Sequence, residues 1–174
     1  MSKKNKKDRP YTIREAFKNL SRIRSELLND PIAKDIASDL EDDAEKFLKC
    51  VSISFDDLDV SAKTYNGNII LNQKLIDKPF PVMMRYVIHE LTHAVQHIIH
   101  DGSMKSKKNE DYLEKDSEVE AFQRQLEWQV DNSSFKDAEK YVDDLLAYHD
   151  TPKRKQEEIK EELLERVAAT NKKH

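Results

Sequence analysis

Glycine, proline and cysteine are all scarce in this sequence of 174 residues. It contains two glycines and five prolines, and because both residue types interrupt helices, their scarcity predicts a mostly helical chain. The single cysteine, Cys50, cannot form an internal disulfide, which is typical of a reducing compartment such as the cytoplasm. No run of about 18 apolar residues is present, so we expect no membrane-spanning helix and no membrane partner.

Basic residues are concentrated at the start of the chain, although the net charge is −4. Lysines and arginines dominate residues 3–9, and no apolar segment follows them as it would in a secretory signal. We expect residues 1–10 to form a disordered basic tail, which could touch nucleic acid through phosphate groups. The rest of the chain has an excess of acidic residues and offers no broad basic face, so nucleic acid is not the expected partner.

Apolar residues recur at spacings of three and four through most of the sequence, which predicts six helices. They are expected at about residues 12–28, 31–49, 79–100, 117–130, 134–149 and 152–169. The last of them is charged almost all round, with a thin apolar stripe of Ile159, Leu163 and Val167, which predicts a surface helix or a partner contact. The chain is therefore divided into a main domain over residues 11–150 and a charged C-terminal helix over residues 151–174.

A small β-sheet is predicted between the second and third helices. Residues 51–55 alternate apolar with polar side chains, as a half-buried strand does. Asn66-Gly67 is typical of a tight hairpin turn, and short strand-like segments at residues 62–65 and 68–71 flank it. The predicted fold class is α+β, mostly helical, with a small sheet preceding the helix at residues 79–100.

That helix carries the pattern His89-Glu90-Leu91-Thr92-His93. The two histidines are four residues apart, so both rings project from one face of the helix, about one turn from each other. This spacing lets two ring nitrogens bind one Zn²⁺ at about 2.0–2.1 Å. Glu90 would lie beside the metal and accept a proton from the metal-bound water, which is the role of a general base. The sequence thus predicts a zinc site that hydrolyses a peptide or amide bond.

The alternative interpretation is that these polar residues merely face solvent. It is disfavoured because the pattern lies within an otherwise apolar helix. His97 and His100 follow on the same helix, but His97 lies about 12 Å along a straight helix from His89, too far to share a metal with it. We interpret His97 and His100 as ordinary polar residues.

A third metal ligand has to come from elsewhere in the chain, and the segment that opens the next helix offers the best choices. Glu118 and Glu120 point to different sides of that helix, so they are not expected to have the same role. Ser117 and Glu120 have the spacing of a capping box, which would make Glu120 structural and favours Glu118 as the ligand. Asp116 and Glu114 are weaker candidates, and either could instead accept a hydrogen bond from the histidine nitrogen that does not bind the metal.

Two segments together resemble a known enzyme family: Tyr86-Val-Ile-His-Glu-Leu-Thr-His-Ala-Val-Gln96, followed by Glu118-Val-Glu-Ala-Phe122. They resemble the gluzincin-type zinc metallopeptidases, and among them the small zincin-like proteins encoded by phages and mobile elements. The resemblance covers about residues 82–130. It implies two histidines and a glutamate as zinc ligands, the motif glutamate as base, and a β-ribbon beside the active-site helix whose edge strand binds an extended peptide. Thermolysin-like members would favour Glu120 as the ligand, whereas other small zincins would favour Glu118.

The sequence leaves several points open. Enzymes of this type use a tyrosine, histidine or arginine to stabilise the developing oxyanion, and Tyr112, Tyr65, His97 and Arg85 are all available without one being selected. A non-catalytic structural or regulatory protein that keeps the zinc site is the alternative function. A nucleic-acid-associated protein that acts through the basic tail ranks last. Neither the natural substrate nor the oligomeric state follows from the sequence.

Overall fold

The computed structural model describes residues 11–100 and 116–171. The predicted tail at residues 1–10 and the candidate residues Tyr112 and Glu114 lie outside this part of the chain. The described elements are α1 (Ile13–Asn29), α2 (Pro31–Ser38), α3 (Ala44–Cys50), β1 (Ile53–Asp56), β2 (Ala62–Tyr65), β3 (Asn68–Asn72), α4 (Phe80–Ile99), α5 (Asp116–Asn132), α6 (Phe135–Tyr148) and α7 (Lys153–Asn171). The prediction of a mostly helical α+β fold is confirmed.

Local hydrogen bonds explain where the first two helices begin. Thr12 and Glu15 form a capping box at the start of α1, with each side chain accepting the other residue's backbone N–H. At the start of α2, Oδ1 of Asp30 accepts the N–H of Ala33 at 2.8 Å and so caps the helix. The second oxygen of Asp30 accepts the indole N–H of Trp128 at 3.0 Å, which ties this turn to α5.

The prediction of one continuous helix over residues 31–49 is wrong. Helix α2 ends at Ser38, and a 3₁₀ turn at Glu41–Asp43 precedes α3. Glu41 has a φ of 52°, which no α-helix can include. A continuous helix would place Asp39 three and four residues from other acidic side chains, where like charges repel, and the apolar spacing did not reveal this conflict.

The three strands form one sheet in the order β1-β3-β2, with β3 in the middle. Strand β1 runs parallel to β3, and β2 runs antiparallel to it, so that Thr64 lies opposite Ile69. The β2–β3 hairpin turns at Asn66 and Gly67, whose φ values of 49° and 75° fit the predicted two-residue turn. Strand β2 is therefore an edge strand, and it packs against α4.

Buried side chains form two clusters with α4 and α5 between them. The first joins α1, α2, α3 and the sheet to the apolar face of α4. The second joins α5 to α6 and α7, and it includes the three residues of the predicted stripe, Ile159, Leu163 and Val167. The stripe on α7 is therefore covered by the chain's own helices and does not face a partner. No helix in the described part is both long and apolar enough to cross a membrane.

Candidate metal centre

Three side chains from two helices meet where α4 packs against the first turn of α5. His89 and His93 lie one turn apart on α4, and their Nε2 atoms are 3.1 Å from each other. The carboxylate of Glu118 spans both rings, with Oε2 at 3.3 Å from Nε2 of His89 and Oε1 at 3.3 Å from Nε2 of His93. Among the residues that the structure describes, no other group of histidine, cysteine or acidic side chains is close enough to share a metal ion.

The distances within this cluster fit a tetrahedral zinc ion. Ligand atoms about 2.0–2.1 Å from Zn²⁺ in a tetrahedral arrangement are about 3.3 Å from one another, which matches the observed separations. The side chains of His89 and Glu118 are 7% and 13% exposed, so water competes poorly for their lone pairs. Oε2 of Glu118 is buried without a hydrogen-bond partner in the described chain, which a metal ion would resolve. The donor set of two imidazoles and one carboxylate also suits zinc with one coordination position left open.

The electrostatics of the cluster favour an ionised carboxylate. Burial raises the pKa of Glu118, but its interactions with His89 and His93 outweigh burial and hold the pKa well below its usual range. Burial lowers the pKa of His93, yet the neighbouring Glu118 and Glu90 carboxylates outweigh burial and raise it. Zinc binding needs the neutral ring of His93, so a metal ion has to compete with protonation of that ring.

A chain of hydrogen bonds orients His93 through Nδ1, the ring nitrogen outside the cluster. Nδ1 of His93 lies 2.9 Å from Oε1 of Gln96, so Nδ1 carries the proton and Nε2 keeps its lone pair for the cluster. Gln96 in turn donates from Nε2 to Oε2 of Glu120 at 2.6 Å and to the carbonyl of Ser117 at 3.2 Å. Because a carboxylate can only accept, Glu120 fixes which end of the Gln96 amide faces His93.

The two glutamates that the sequence offers as the third ligand occupy different positions in the structure. Glu118 lies in the cluster with the histidines, whereas Glu120 contacts Gln96 and lies outside it. The predicted capping box is wrong, because Ser117 lies inside α5 rather than in front of it. Asp116 is exposed at the start of the same helix and takes no part in the cluster.

Outside the cluster, the ring of His89 is held by packing against an aromatic side chain. Its ring contacts the ring of Phe122 with centroids 4.5 Å apart and an interplanar angle of 61°, an edge-to-face arrangement. Nδ1 of His89 is buried and has no hydrogen-bond partner among the described residues. The two histidines are thus fixed by different means, one by Phe122 and one by Gln96.

Glu90, the predicted base, is a buried residue beside the cluster, and a hydrogen bond orients its carboxylate. Its Oε2 accepts a hydrogen bond from Oγ1 of Thr64 at 2.7 Å. Thr64 belongs to the edge strand β2, so the sheet positions the carboxylate. Sequence reasoning missed Thr64, since 26 residues separate the two partners. It also missed Gln96, although a polar residue three positions after His93 lies on the same face of the helix.

A cleft of about 880 Å³ opens beside this site. His89 and Glu90 line it, together with Ala62 of the edge strand and Tyr141 of α6. Three of the four residues considered for oxyanion stabilisation are described, and of these three Arg85 lines the cleft.

The two other candidates that the structure describes, Tyr65 and His97, do not line the cleft. Tyr65 is 65% exposed, and His97 faces the β2–β3 turn, where a Cβ on Gly67 would be 3.5 Å from its ring. Neither His97 nor His100 belongs to the metal cluster, in line with their interpretation as ordinary polar residues.

A scan against protein-family models, a search of curated proteins and a search of solved structures found no match to this chain.

Proposed function

We propose that this protein is a zinc-dependent peptidase of the gluzincin type, with a zincin-like domain that hydrolyses a peptide or amide bond. The observation that carries the proposal is the convergence of His89, His93 and Glu118 at distances suited to one zinc ion, with the Glu90 carboxylate beside them on the same cleft. A buried glutamate next to two histidines and a third ligand is the arrangement that hydrolysis by a metal-activated water requires.

Each side chain has a distinct task in this proposal. His89, His93 and Glu118 would hold the metal, and a bound Zn²⁺ would lower the pKa of a coordinated water and polarise the substrate carbonyl. Glu90 takes the proton of the attacking water onto its carboxylate and passes it to the leaving amine. Thr64 donates to one Glu90 oxygen, which leaves the other oxygen to accept that proton.

The edge strand β2 offers a way to bind the substrate backbone. Ser61 and Ala62 line the cleft, and within the described ranges β2 is paired with β3 along one side only. The opposite side of an edge strand presents backbone N–H and C=O groups that can pair with an extended peptide. A substrate bound in this way would lie alongside α4, next to the metal centre.

The proposal is tested by measuring zinc content and peptide cleavage in the same preparations. We expect the purified protein to contain about one zinc per chain and to lose peptidase activity with a chelator. Glu90→Gln should keep the zinc and lower turnover by at least about 10²-fold, because the amide cannot accept a proton. Glu157→Gln on α7, outside the cleft, is the matched control and should leave turnover unchanged.

Two results would contradict the proposal. Undiminished turnover in Glu90→Gln would remove Glu90 as the base. Zinc binding without cleavage of any peptide in a diverse library would support the alternative of a structural or regulatory zinc protein.

A further inference from the structure

Arg85 lines the cleft, and none of the described acidic residues forms an ion pair with it. It is a half-buried residue of α4. Its Nε is buried and has no hydrogen-bond partner within the described ranges. The other half-buried arginines differ in this respect: Arg124 pairs with Asp35 and Glu127, and Arg24 donates to two backbone carbonyls.

Two tyrosine rings hold the Arg85 guanidinium in place. Its Cζ lies 4.9 Å from the ring centre of Tyr86 and 4.6 Å from that of Tyr141. Nη2 of Arg85 also donates to the hydroxyl of Tyr86 at 3.2 Å. Cation–π contacts compensate part of the cost of removing the charge from water, but they leave the guanidinium without a counter-ion.

The two tyrosines beside the guanidinium also carry phenol hydroxyls. Burial, reinforced by neighbouring Tyr86, raises the pKa of Tyr141 to about 12 against the opposing effects of Gln125 and Arg85, so its hydroxyl stays protonated. Arg85, Tyr86 and Tyr141 all line the cleft. A fixed guanidinium next to two phenol groups matches the acceptor oxygens of a carboxylate, which arginine can bind through two parallel hydrogen bonds.

The distance to the metal centre limits where on a substrate such a carboxylate can be. Arg85 precedes His89 by one helical turn, about 6 Å along the axis of α4. An extended peptide advances about 3.3 Å per residue, so the two positions are about two residues apart along a bound substrate. The group recognised by Arg85 would therefore lie within about two residues of the bond that is cleaved.

We propose that Arg85, Tyr86 and Tyr141 form a carboxylate-binding subsite of the cleft. It would select peptides that carry an acidic side chain or a free C-terminal carboxylate within about two residues of the scissile bond. This inference rests on the proposed function, because the subsite would bind the same peptide substrate that the metal centre cleaves.

Four short peptide hydroxamates test the subsite, because a hydroxamate binds zinc directly and turnover is not needed. They have glutamate or glutamine as the second residue after the hydroxamate group, and each is made with a free or an amidated C-terminus. Affinity for the zinc-loaded protein is measured by calorimetry. We expect a carboxylate-bearing probe to bind at least about tenfold more tightly than its neutral counterpart, as for a charge-assisted hydrogen bond. The glutamate and the free C-terminus are compared separately, which identifies the source of the carboxylate.

Variants of Arg85 decide whether the preference comes from this residue. Arg85→Gln should reduce the preference to within about twofold, with unchanged zinc content and unchanged affinity for the neutral probe. Arg85→Lys keeps the charge but loses the planar fork, and it should retain an intermediate preference. Arg22→Gln is the matched control, since Arg22 also lies on an aromatic ring, that of Phe80, and does not line the cleft.

The outcomes separate this inference from the proposed function. If the zinc-loaded protein binds acidic and neutral hydroxamates equally, or if Arg85→Gln keeps the full preference, the subsite is refuted and the metal centre stands. If the protein takes up no zinc and binds none of the four probes, the proposed function and the subsite fail together.

Discussion

Replacing each of two neighbouring glutamates on α5 by glutamine gives the sharpest test of the metal centre. Glu118→Gln and Glu120→Gln are the same chemical change, two residues apart on the same helical turn. Glu118 faces both histidines, whereas Glu120 contacts Gln96. The pair therefore distinguishes a metal ligand from a residue that acts through a neighbour, with nearly identical effects on net charge and helix stability.

The expected magnitudes follow from these contacts. In the proposed site Glu118 is one of the three ligands that the described residues supply, and it is 13% exposed, so water cannot easily replace it. Loss of a partner behind a ligand costs about 10–100-fold in metal affinity, and loss of an ionised ligand costs more, so we expect Glu118→Gln to weaken zinc binding by more than about 100-fold. By the usual conversion this is at least about 2.8 kcal/mol. Glu120→Gln still offers an oxygen to the Gln96 amide, so its effect should stay below about tenfold.

The assay is competition for zinc against a chromogenic chelator near neutral pH, with the fold of each variant checked by circular dichroism. Metal-free variants should remain folded, because neither glutamate belongs to an apolar cluster. The reasoning would be refuted if Glu118→Gln bound zinc within about threefold of the unmodified protein while Glu120→Gln lost it. That result would make Glu120 the ligand and would contradict the observed orientation of α5 against α4.

Three further predictions concern the same site and the helix behind it. Gln96→Leu should lower zinc affinity by about 10–100-fold in the competition assay, because Nδ1 of His93 loses its acceptor; Gln96→Glu, which keeps an acceptor, should retain more of the affinity. Since the pKa of His93 is raised from 6.5, its protonated ring stabilises the metal-free fold below that pH, and this contribution is lost as the pH rises through the raised pKa. Zinc needs the neutral ring, so as the pH rises above 6.5 through the raised pKa the melting temperature should fall in chelator and rise with excess zinc, and a parallel pH dependence in the two conditions would contradict this. Leu163→Ala should lower the free energy of unfolding by about 2–5 kcal/mol in urea denaturation, because Leu163 is 2% exposed in the second apolar cluster; an effect below about 0.5 kcal/mol would show that α7 does not stabilise the domain.

Features with a short-range cause could be predicted from the sequence. The hairpin at Asn66-Gly67 follows from the positive φ values that these two residues tolerate. The N-cap at Asp30 follows from a side chain that bonds to a backbone N–H three residues away. Where nearby charges opposed the apolar pattern, as at Glu41–Asp43, periodicity alone predicted a helix that the chain does not form.

Features that depend on how distant segments pack could not be predicted in the same way. From the sequence alone, the apolar stripe of α7 could belong to a surface helix, contact a partner protein or pack into the chain's own core. In the structure it packs against α5 and α6 and is part of the core. Thr64 reaches Glu90 only because the edge strand lies against α4. Arg85 contacts the ring of Tyr141 only in the folded arrangement, since α4 and α6 are far apart in the sequence.

The sequence by itself determined that His89 and His93 would share one helix face with Glu90 between them, because helical geometry repeats every 3.6 residues whatever the rest of the chain does. Only the tertiary structure decided that Glu118, and not Glu120, completes the cluster. The reason is that the rotation of α5 about its own axis is fixed by side chains packed between helices, and no local rule of sequence specifies that rotation.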